Sequence, residues 1–324
     1  MGRGRRPLPS SFKNQTITTK IKGVTMKKIA LALTVVFGLA LIQPVASAAN
    51  ESIVIIDTAI DSTRPEFKDK LIYEACFVSS GGSCPNGTLA QEGVGSATLP
   101  TAKAMQADLK HGTLMTLIAN QINPNVNIIF IRVAGVNPRN GKALAFSDDQ
   151  VRLALEWVIA NKTKFNIVSV SASVGTHTTL KKGPAYCPIT ALKKPLVAAI
   201  DTLITLGVPT MFASGNNGDT VRVDFPACIP NAVAVSASDY NVDDKDFISM
   251  QSNSAVETDF YALGTYNVLG NNVRGTSASA AALSAYWAKN YKGTYQATYD
   301  YLKSITKPVK NSKISSTLFV DILK

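Results

Sequence analysis

The stretch "SIVIID" at residues 52–57 is a continuous apolar run that ends in an acid. A run without polar alternation is typical of a strand buried on both faces, as in a parallel sheet covered by helices. Four later stretches have the same character: "NIIFIRV" (127–133), "NIVSVSAS" (166–173), "VPTMFAS" (208–214) and "NAVAVSAS" (231–238). Together they predict five buried strands.

Helical patterns lie between these runs. "SDDQVRLALEWVIAN" (147–161) opens with Ser147 and Gln150 as a capping box, and "KPLVAAIDTLITLG" (194–207) stops at a glycine. Strands that alternate with helices imply an α/β fold with a mostly parallel central sheet and helices on both faces. No repeat or low-complexity linker follows residue 50, so residues 49–324 are interpreted as one domain.

The N-terminal residues have the features of a secretory leader. From Met26, "MKKIALALTVVFGLALIQPVASAAN" combines two lysines, an apolar core and a small-residue cleavage site at Ala46–Ala48. The core has about 13 residues, fewer than the roughly 20 that a membrane span needs. We therefore expect residues 26–48 to be a signal peptide, residues 1–25 an upstream non-structural extension, and the exported protein (periplasmic or extracellular) to have no stable membrane anchor.

The net charge of +11 comes largely from this leader. Residues 1–48 contain eight of the 33 Lys and Arg and no acid, which leaves 25 basic against 22 acidic residues elsewhere. Nucleic-acid affinity depends on clustered cations that neutralise phosphates. Because no dense basic block remains, nucleic acid is not expected as a partner.

Four cysteines follow the leader, and an even number in an exported protein suggests two disulfides. Cys76 and Cys84 flank a glycine-rich loop and are expected to pair, which leaves Cys187 with Cys228. A zinc site is the alternative, but there is no Cys-x-x-Cys pair and the chain has two histidines. The acidic segment "DYNVDDKD" (239–246) is interpreted as a solvated turn, so neither metal nor cofactor is expected.

Polar groups follow several of the predicted strands, where ligands bind in open α/β sheets. Asp57 ends the first strand, Ser171–Ser173 ends the third, and "SGNNG" (214–218) follows the fourth. Asp57 alone could cap a turn, and Asp61 competes with it for any carboxylate role. The convergence of these strand ends favours a functional site.

Ser277 lies in "GTSAS" (275–279), at the start of an alanine-rich helix. It could be a helix cap or a nucleophile that the helix N-terminus helps to activate. A nucleophilic serine needs a base, and the base needs an acid. His111 opens a helical pattern and is followed by Gly112, which allows close approach of another group. His177 lies in a polar loop and is interpreted as a solvated histidine.

The order Asp57, His111, Ser277 is the order of the subtilisin triad. "VIIDTAID" (54–61), "HGT" (111–113), "ASGNNG" (213–218) and "GTSAS" resemble the Asp, His, Gly-Asn and Ser motifs of the subtilisin-like serine proteases, the subtilases. The resemblance runs from about residue 52 to about residue 305. It differs from the family at Ala59, Leu114 and Ala278–Ala281.

The resemblance implies a three-layer subtilisin-like fold and a serine endopeptidase that acts on polypeptides. Asp57 would orient His111, His111 would deprotonate Ser277, and Asn216 would assist the oxyanion hole. Ser171, Ala172 and Ser173 would expose a strand edge to which the substrate adds, and "KALAF" (142–146) would line the opposite side. With about three residues between Ala48 and the first strand, no folding pro-segment is expected.

Two other functions remain as alternatives. A catalytically weak or inactive subtilase-fold protein that binds polypeptide would fit the altered residues around Ser277. A lipase or esterase would need a Gly-x-Ser-x-Gly elbow, which is absent, and a different chain order.

Overall fold

A computed structural model of the chain describes residues 50–79, 81–137, 139–177, 187–240 and 246–307. The predicted extension and signal peptide lie outside these ranges, as do residues 241–245 of the acidic segment. The strands are β1 (Ser52–Asp57), β2 (Leu71–Phe77), β3 (Ala90–Glu92), β4 (Asn127–Arg132), β5 (Ile167–Ala172), β6 (Thr210–Ala213), β7 (Val233–Tyr240), β8 (Asp246–Ile248), β9 (Phe260–Leu263), β10 (Thr265–Val268) and β11 (Asn271–Arg274).

The helices are α1 (Thr101–Ala104), α2 (His111–Ile122), α3 (Asp148–Asn161), α4 (Lys194–Thr205), α5 (Thr276–Lys289) and α6 (Tyr295–Ile305). In the described part of the chain, nine strands form one sheet in the order β3-β2-β4-β1-β5-β6-β7-β8, and β9 also pairs with β7. The pairs from β2 through β7, and the β7–β9 pair, are parallel. β3 and β8 add antiparallel edges, and β10 with β11 forms a separate hairpin.

The central strands are apolar throughout because both of their faces are covered. In β1, Ile53 and Ile55 join the core that also contains the buried residues of α2 and α5. Val54 and Ile56 point to the other core, which contains the buried residues of α3 and α4. Successive side chains of a strand point to opposite faces, so one apolar run packs against two helical layers. The predicted three-layer α/β fold is confirmed.

The local sequence signals are also confirmed. The five predicted strands correspond to β1, β4, β5, β6 and β7, each within two residues of the expected limits. The capping box forms at the start of α3, where the Ser147 N–H donates to the Gln150 side chain at 2.7 Å. Within the described ranges, none of the helices combines the length and the apolar composition needed to cross a membrane.

Both expected disulfides form. Cys76 at the end of β2 is bonded to Cys84, and Cys187 is bonded to Cys228. The first closes a short loop beside β2. The second connects positions 41 residues apart, and Cys228 follows the end of β6 by way of a turn that also contains Asp224. The two covalent links therefore lie near the carboxyl ends of the sheet strands.

Candidate active site

Asp57 and His111 form a close pair at the carboxyl end of β1. His111 Nδ1 lies 2.8 Å from Asp57 Oδ1 and 2.9 Å from Oδ2. The carboxylate is 2% exposed, and Oδ1 also accepts the Thr58 N–H at 2.7 Å. The histidine side chain is 37% exposed. The Nδ1 edge of the ring is thus held by a buried acid while the rest of the side chain stays partly accessible.

The environment of His111 favours its protonated form. Burial alone would lower the pKa of His111, but the charge of Asp57 and the hydrogen bond to it outweigh burial, so the pKa of His111 is raised above 6.5. A base with a raised pKa binds a proton more strongly. The pair can therefore accept a proton from a neighbouring hydroxyl and stabilise the imidazolium that results.

The start of α2 is attached tightly to the end of β1. Thr58 Oγ1 donates to the Leu109 carbonyl at 2.8 Å and accepts the Gly112 N–H at 3.1 Å. A Cβ atom at Gly112 would lie 2.4 Å from the Ala59 carbonyl oxygen and 2.6 Å from the Phe130 ring. Glycine is therefore required at position 112 for the helix to approach the strand. This explains why a glycine follows His111, as the sequence suggested.

Ser277 is the second residue of α5, which packs beside α2 on the same face of the sheet. Just before α2, Lys110 Nζ donates to Asn271 Oδ1 at 3.0 Å, which brings the start of α2 near the strand that leads into α5. Ser277 is partly exposed. No hydrogen bond within the described residues joins Ser277 Oγ to His111.

Asn216 lies beside the start of α5. Its Oδ1 accepts the Thr276 N–H at 2.9 Å and the Thr276 hydroxyl at 3.2 Å. Gly275 has φ +131°, and a Cβ there would lie 2.9 Å from Asn216 Oδ1. The glycine that precedes Thr276 therefore makes room for Asn216. Because Oδ1 is committed to Thr276, the Nδ2 group of Asn216 remains as the donor.

A buried asparagine that the sequence did not indicate holds the loop around Asn216. Asn253 is fully buried, and its Oδ1 accepts the N–H groups of Asn217 at 2.9 Å and Asp219 at 3.0 Å. Its own N–H donates to the Gly215 carbonyl at 2.8 Å. Asn253 is 36 residues from Asn217, so no local pattern could have identified this contact.

The predicted substrate-binding edge needs a correction. Ser171 and Ala172 are buried and are paired with β1 on one side and β6 on the other. A strand with two neighbours has no free edge, so a peptide cannot add there. Ser173 is the first residue beyond β5, and its hydroxyl approaches the Ser277 carbonyl oxygen at 3.5 Å. Beyond β5 the chain becomes partly exposed at Ser173 and exposed at Gly175.

The segment expected to line the opposite side is held by backbone contacts. Ala143 forms an antiparallel bridge with Val136, and the Leu144 N–H donates to the Gly135 carbonyl at 2.8 Å. Residues 142–146 thus follow the chain that leaves the carboxyl end of β4. That end adjoins β1, whose last residue is Asp57.

His177 was interpreted as a solvated loop histidine, and the structure gives it a specific partner instead. His177 Nδ1 lies 2.9 Å from Asp224 Oδ1, and the ring is one-third exposed. The two residues are 47 positions apart, so the pairing was not visible in the sequence. Among the residues that the structure describes, no three His, Cys, Asp or Glu side chains are grouped as a metal ion would require.

The protein-family model for the peptidases of the subtilase family matches residues 48–307, most of the chain. The chain belongs to the subtilase family. Membership places it among the subtilisin-like serine endopeptidases, the class that the sequence motifs predicted. No curated protein is similar enough to this subtilase to count as a match.

Solved structures with the same fold support this assignment. A cold-adapted subtilisin-like serine proteinase is 20% identical, with a TM-score of 0.58 over 85% of this chain and 89% of the other. A psychrophilic protease is 16% identical, with a TM-score of 0.61 over 84% and 91%. A lanthipeptide protease is 17% identical, with a TM-score of 0.57 over 85% and 86%. At these identities the likeness establishes the subtilisin-like fold.

Proposed function

We propose that this subtilase hydrolyses peptide bonds with Asp57, His111 and Ser277 as its catalytic triad. The observation that carries the proposal is the pair of contacts from His111 Nδ1 to both oxygens of the buried Asp57. This pairing fixes the ring so that Nε2 is the nitrogen left to accept a proton. The helices that begin with His111 and Thr276 then bring the base and Ser277 to the same end of the sheet.

In the first step, His111 Nε2 takes the Ser277 hydroxyl proton while Oγ attacks the carbonyl carbon of the scissile bond. The tetrahedral intermediate collapses as the imidazolium gives this proton to the leaving amine, and an acyl-enzyme remains. A water molecule, deprotonated by His111, then releases the acyl group and restores the serine. Asp57 keeps its negative charge throughout and stabilises the imidazolium.

The oxyanion hole would consist of the Asn216 Nδ2 amide and the Ser277 backbone N–H. The contacts of Asn216 Oδ1 with Thr276 support this role because they turn the opposite side of the amide towards the incoming carbonyl. Ser277 lies in the first turn of α5, where N–H groups lack helical partners and the helix dipole favours negative charge. Donors fixed before the reaction stabilise the developing charge without reorganisation.

Polypeptide would bind as an extended strand along the edge that begins at Ser173, with residues 142–146 on its other side. Main-chain hydrogen bonds in this mode provide affinity, and pockets for side chains provide specificity. We further infer that the protein is exported after cleavage of residues 26–48. The two disulfides support this inference because such bonds persist in oxidising compartments.

The test compares the mature protein with its Ser277→Ala variant. Both are treated with a fluorophosphonate probe, which labels activated serines, and with denatured casein. We expect labelling and cleavage by the unaltered protein and neither by Ser277→Ala. Ser279→Ala is the matched control, since Ser279 is on the same helix but is buried and donates to the Ala262 carbonyl.

The outcome also separates the alternative function. If the unaltered, folded protein is not labelled and leaves casein intact but still binds it, the chain is an inactive subtilase that binds polypeptide. Labelling that persists in Ser277→Ala would assign the nucleophile to another serine. Far-UV circular dichroism of each variant shows whether the fold is kept.

A further inference from the structure

A second buried carboxylate, that of Asp224, lies against Gly215, the residue that precedes Asn216 of the proposed oxyanion hole. Asp224 is 7% exposed, and its N–H donates to the Ser214 carbonyl at 2.8 Å, just past the end of β6. Gly215, which precedes Asn216, has φ +108°, and a Cβ there would lie 2.3 Å from Asp224 Oδ2. The absence of a side chain at position 215 therefore gives the Asp224 carboxylate its place beside Asn216.

The same carboxylate adjoins the substrate edge on its other side. A Cβ at Gly175 would lie 3.6 Å from Asp224 Cβ and 3.9 Å from Oδ2. The Thr176 N–H donates to the Phe225 carbonyl at 2.8 Å, which joins this segment to the Asp224 turn. Asp224 thus lies between the chain leaving β5 and the chain leaving β6, which form the crevice discussed below. Ser173 and Asn216 stand on the two walls of that crevice.

The charge of Asp224 is only partly compensated. Oδ1 accepts from His177 Nδ1 at 2.9 Å and from Asn253 Nδ2 at 3.0 Å. Oδ2 accepts no hydrogen bond from the described residues. Burial raises the pKa of Asp224 more than the hydrogen bond to His177 lowers it. A buried carboxylate with an unused oxygen is costly unless a partner supplies a donor or a cation.

The other charged side chains that the structure describes near Asp224 do not donate a hydrogen bond to its Oδ2. Asp219 adds a negative charge that acts on Asp224, but its own carboxylate is paired with Arg222 at 3.2 Å. Among the residues that the structure describes, His177 is the basic side chain in contact with Asp224, and its contact goes to Oδ1. The crevice therefore presents an acidic end to any side chain that enters it.

In peptide-bond hydrolysis the carbonyl that is attacked lies in the oxyanion hole, and the side chain of the same residue enters the neighbouring crevice. We call this residue the acyl-side residue. We propose that Asp224 is a specificity-determining residue that forms the floor of the acyl-side pocket and selects lysine or arginine there. This inference rests on the proposed function and adds the substrate class: polypeptides cleaved after a basic residue.

The physical reason is complementarity. The ammonium or guanidinium of a lysine or arginine donates charge-assisted hydrogen bonds to Oδ2 and offsets the buried charge. A leucine would cover Oδ2 and remove it from water without giving it a donor. A glutamate would place a second negative charge against it. Selectivity built on an otherwise unpaired buried group exceeds the selectivity of an apolar pocket.

The first experiment measures binding to the Ser277→Ala protein, which keeps the pocket and does not consume the ligand. Three fluorescent tetrapeptides differ only in the acyl-side residue, which is Lys, Leu or Glu. We expect the lysine peptide to bind roughly 10- to 100-fold more tightly than the leucine peptide, as charge-assisted hydrogen bonds allow. The glutamate peptide should bind most weakly. Equal or tighter binding of the leucine peptide would overturn the proposal.

The second experiment adds Asp224→Asn to the same protein. The Lys-to-Leu affinity ratio should then fall to about 1, because the amide keeps the shape but carries no charge. Asp300→Asn removes an exposed carboxylate on α6 and is the matched control, for which the ratio should not change. If Asp224→Asn weakens both peptides equally, its role is structural and the proposal fails.

His177→Gln provides a second test of the proposal in case the Asp224→Asn variant does not fold. Glutamine can still donate to Oδ1 but cannot become a cation, so the lysine preference should be kept or increased. Loss of the preference would show that His177, rather than Asp224, sets it, and would overturn the proposal.

Cleavage sites in denatured casein, mapped by mass spectrometry with the unaltered protein, distinguish the two levels of inference. Cleavage mainly after Lys and Arg supports both. Fluorophosphonate labelling with cleavage mainly after apolar residues supports the triad and overturns the role of Asp224. A protein that is not labelled but whose Ser277→Ala form selects the lysine peptide supports Asp224 and overturns the triad.

Discussion

The molecule contains two aspartate–histidine pairs of almost the same length, and their surroundings give them different chemistry. His111 Nδ1 is 2.8 Å from Asp57, and His177 Nδ1 is 2.9 Å from Asp224. Asp57 turns both of its oxygens to the ring and also accepts a backbone N–H. Asp224 offers one oxygen, which it shares with Asn253. Distance alone therefore does not distinguish a catalytic pair from another pair.

The balance between burial and pairing differs as well. At His111, burial opposes protonation, but the charge and hydrogen bond of Asp57 prevail and the pKa of the histidine is raised. At Asp224, burial is the largest effect and raises the pKa of the carboxyl despite the contact with His177. The first pair therefore contains a histidine whose pKa is raised. The second leaves an incompletely compensated acid at the end of a crevice.

Asp57→Asn is the change with the largest expected effect on this comparison. Asparagine can hold His111 but carries no charge and can bind the wrong tautomer, so kcat/KM should fall on the order of 10⁴-fold, the loss known for this residue type in serine proteases including subtilisin. Asp224→Asn should lower kcat/KM by at most about 100-fold, and only for substrates with a basic acyl-side residue.

The measurement is the initial rate on paired lysine and leucine peptides, with fluorophosphonate labelling of both variants. If the two substitutions lowered kcat/KM by the same factor, the Asp57–His111 and Asp224–His177 pairs would not differ in function. Thermal unfolding of each variant reports whether a loss comes from the fold instead of the chemistry.

The parts of the fold that could be predicted are those with local signals. The runs that form β1 and β4 are apolar because both faces are covered, and the capping box of α3 is a four-residue pattern. β2 was missed because Glu74 interrupts its apolar residues. This glutamate is buried, and its carboxylate accepts the Gly95 and Ala97 N–H groups at 2.9 and 3.0 Å. The loop that contains Gly95 and Ala97 thus supplies the donors that allow Glu74 to be buried within β2.

The candidate site shows the same limit. Asp57, His111, Asn216 and Ser277 stand in short motifs with a characteristic order, so sequence alone could propose them. An apolar run does not reveal which of its residues lies in the middle of a sheet, so the edge placed at Ser171–Ala172 was wrong. No sequence signal marked Asp224 as a functional residue, because its partners are contributed by segments far away in the chain.

Asn253→Ala should have a smaller effect than Asp57→Asn. Asn253 contacts both Asp224 and the loop that carries Asn216. The substitution removes the amide oxygen that accepts two loop N–H groups and the amide donor to Asp224. We expect about a 10-fold lower kcat and a loss of about 1–3 kcal/mol in the free energy of unfolding, as for other buried hydrogen-bonding groups.

Asn216→Ala should lower kcat by about 100- to 1000-fold, a range that comes from the corresponding amide of subtilisin.

Steady-state kinetics and urea unfolding of both variants make the comparison. Asn216 is exposed, so its replacement should change kcat with little change in stability. Asn253 should change both, since it is a positioning residue that acts through the loop. A variant at Asn253 with lower stability and unaltered kcat would show that the loop keeps its shape without that side chain.

The smallest expected effect is on the pH dependence of kcat/KM, which should respond to the surroundings of His111 and not to those of His177. The reaction needs neutral His111, so kcat/KM should fall as pH decreases through the pKa of the free enzyme. Because the charge and hydrogen bond of Asp57 outweigh burial and raise the pKa of His111, the midpoint of the acid limb should lie above that of a free histidine. In Asp57→Asn burial remains and the charge of Asp57 is lost, so the midpoint should move to lower pH. His177→Gln should leave it in place for a leucine substrate, which carries no charge to Asp224. Rates from pH 5 to 9 give the three midpoints, and a shift caused by His177→Gln would mean that the two pairs are coupled.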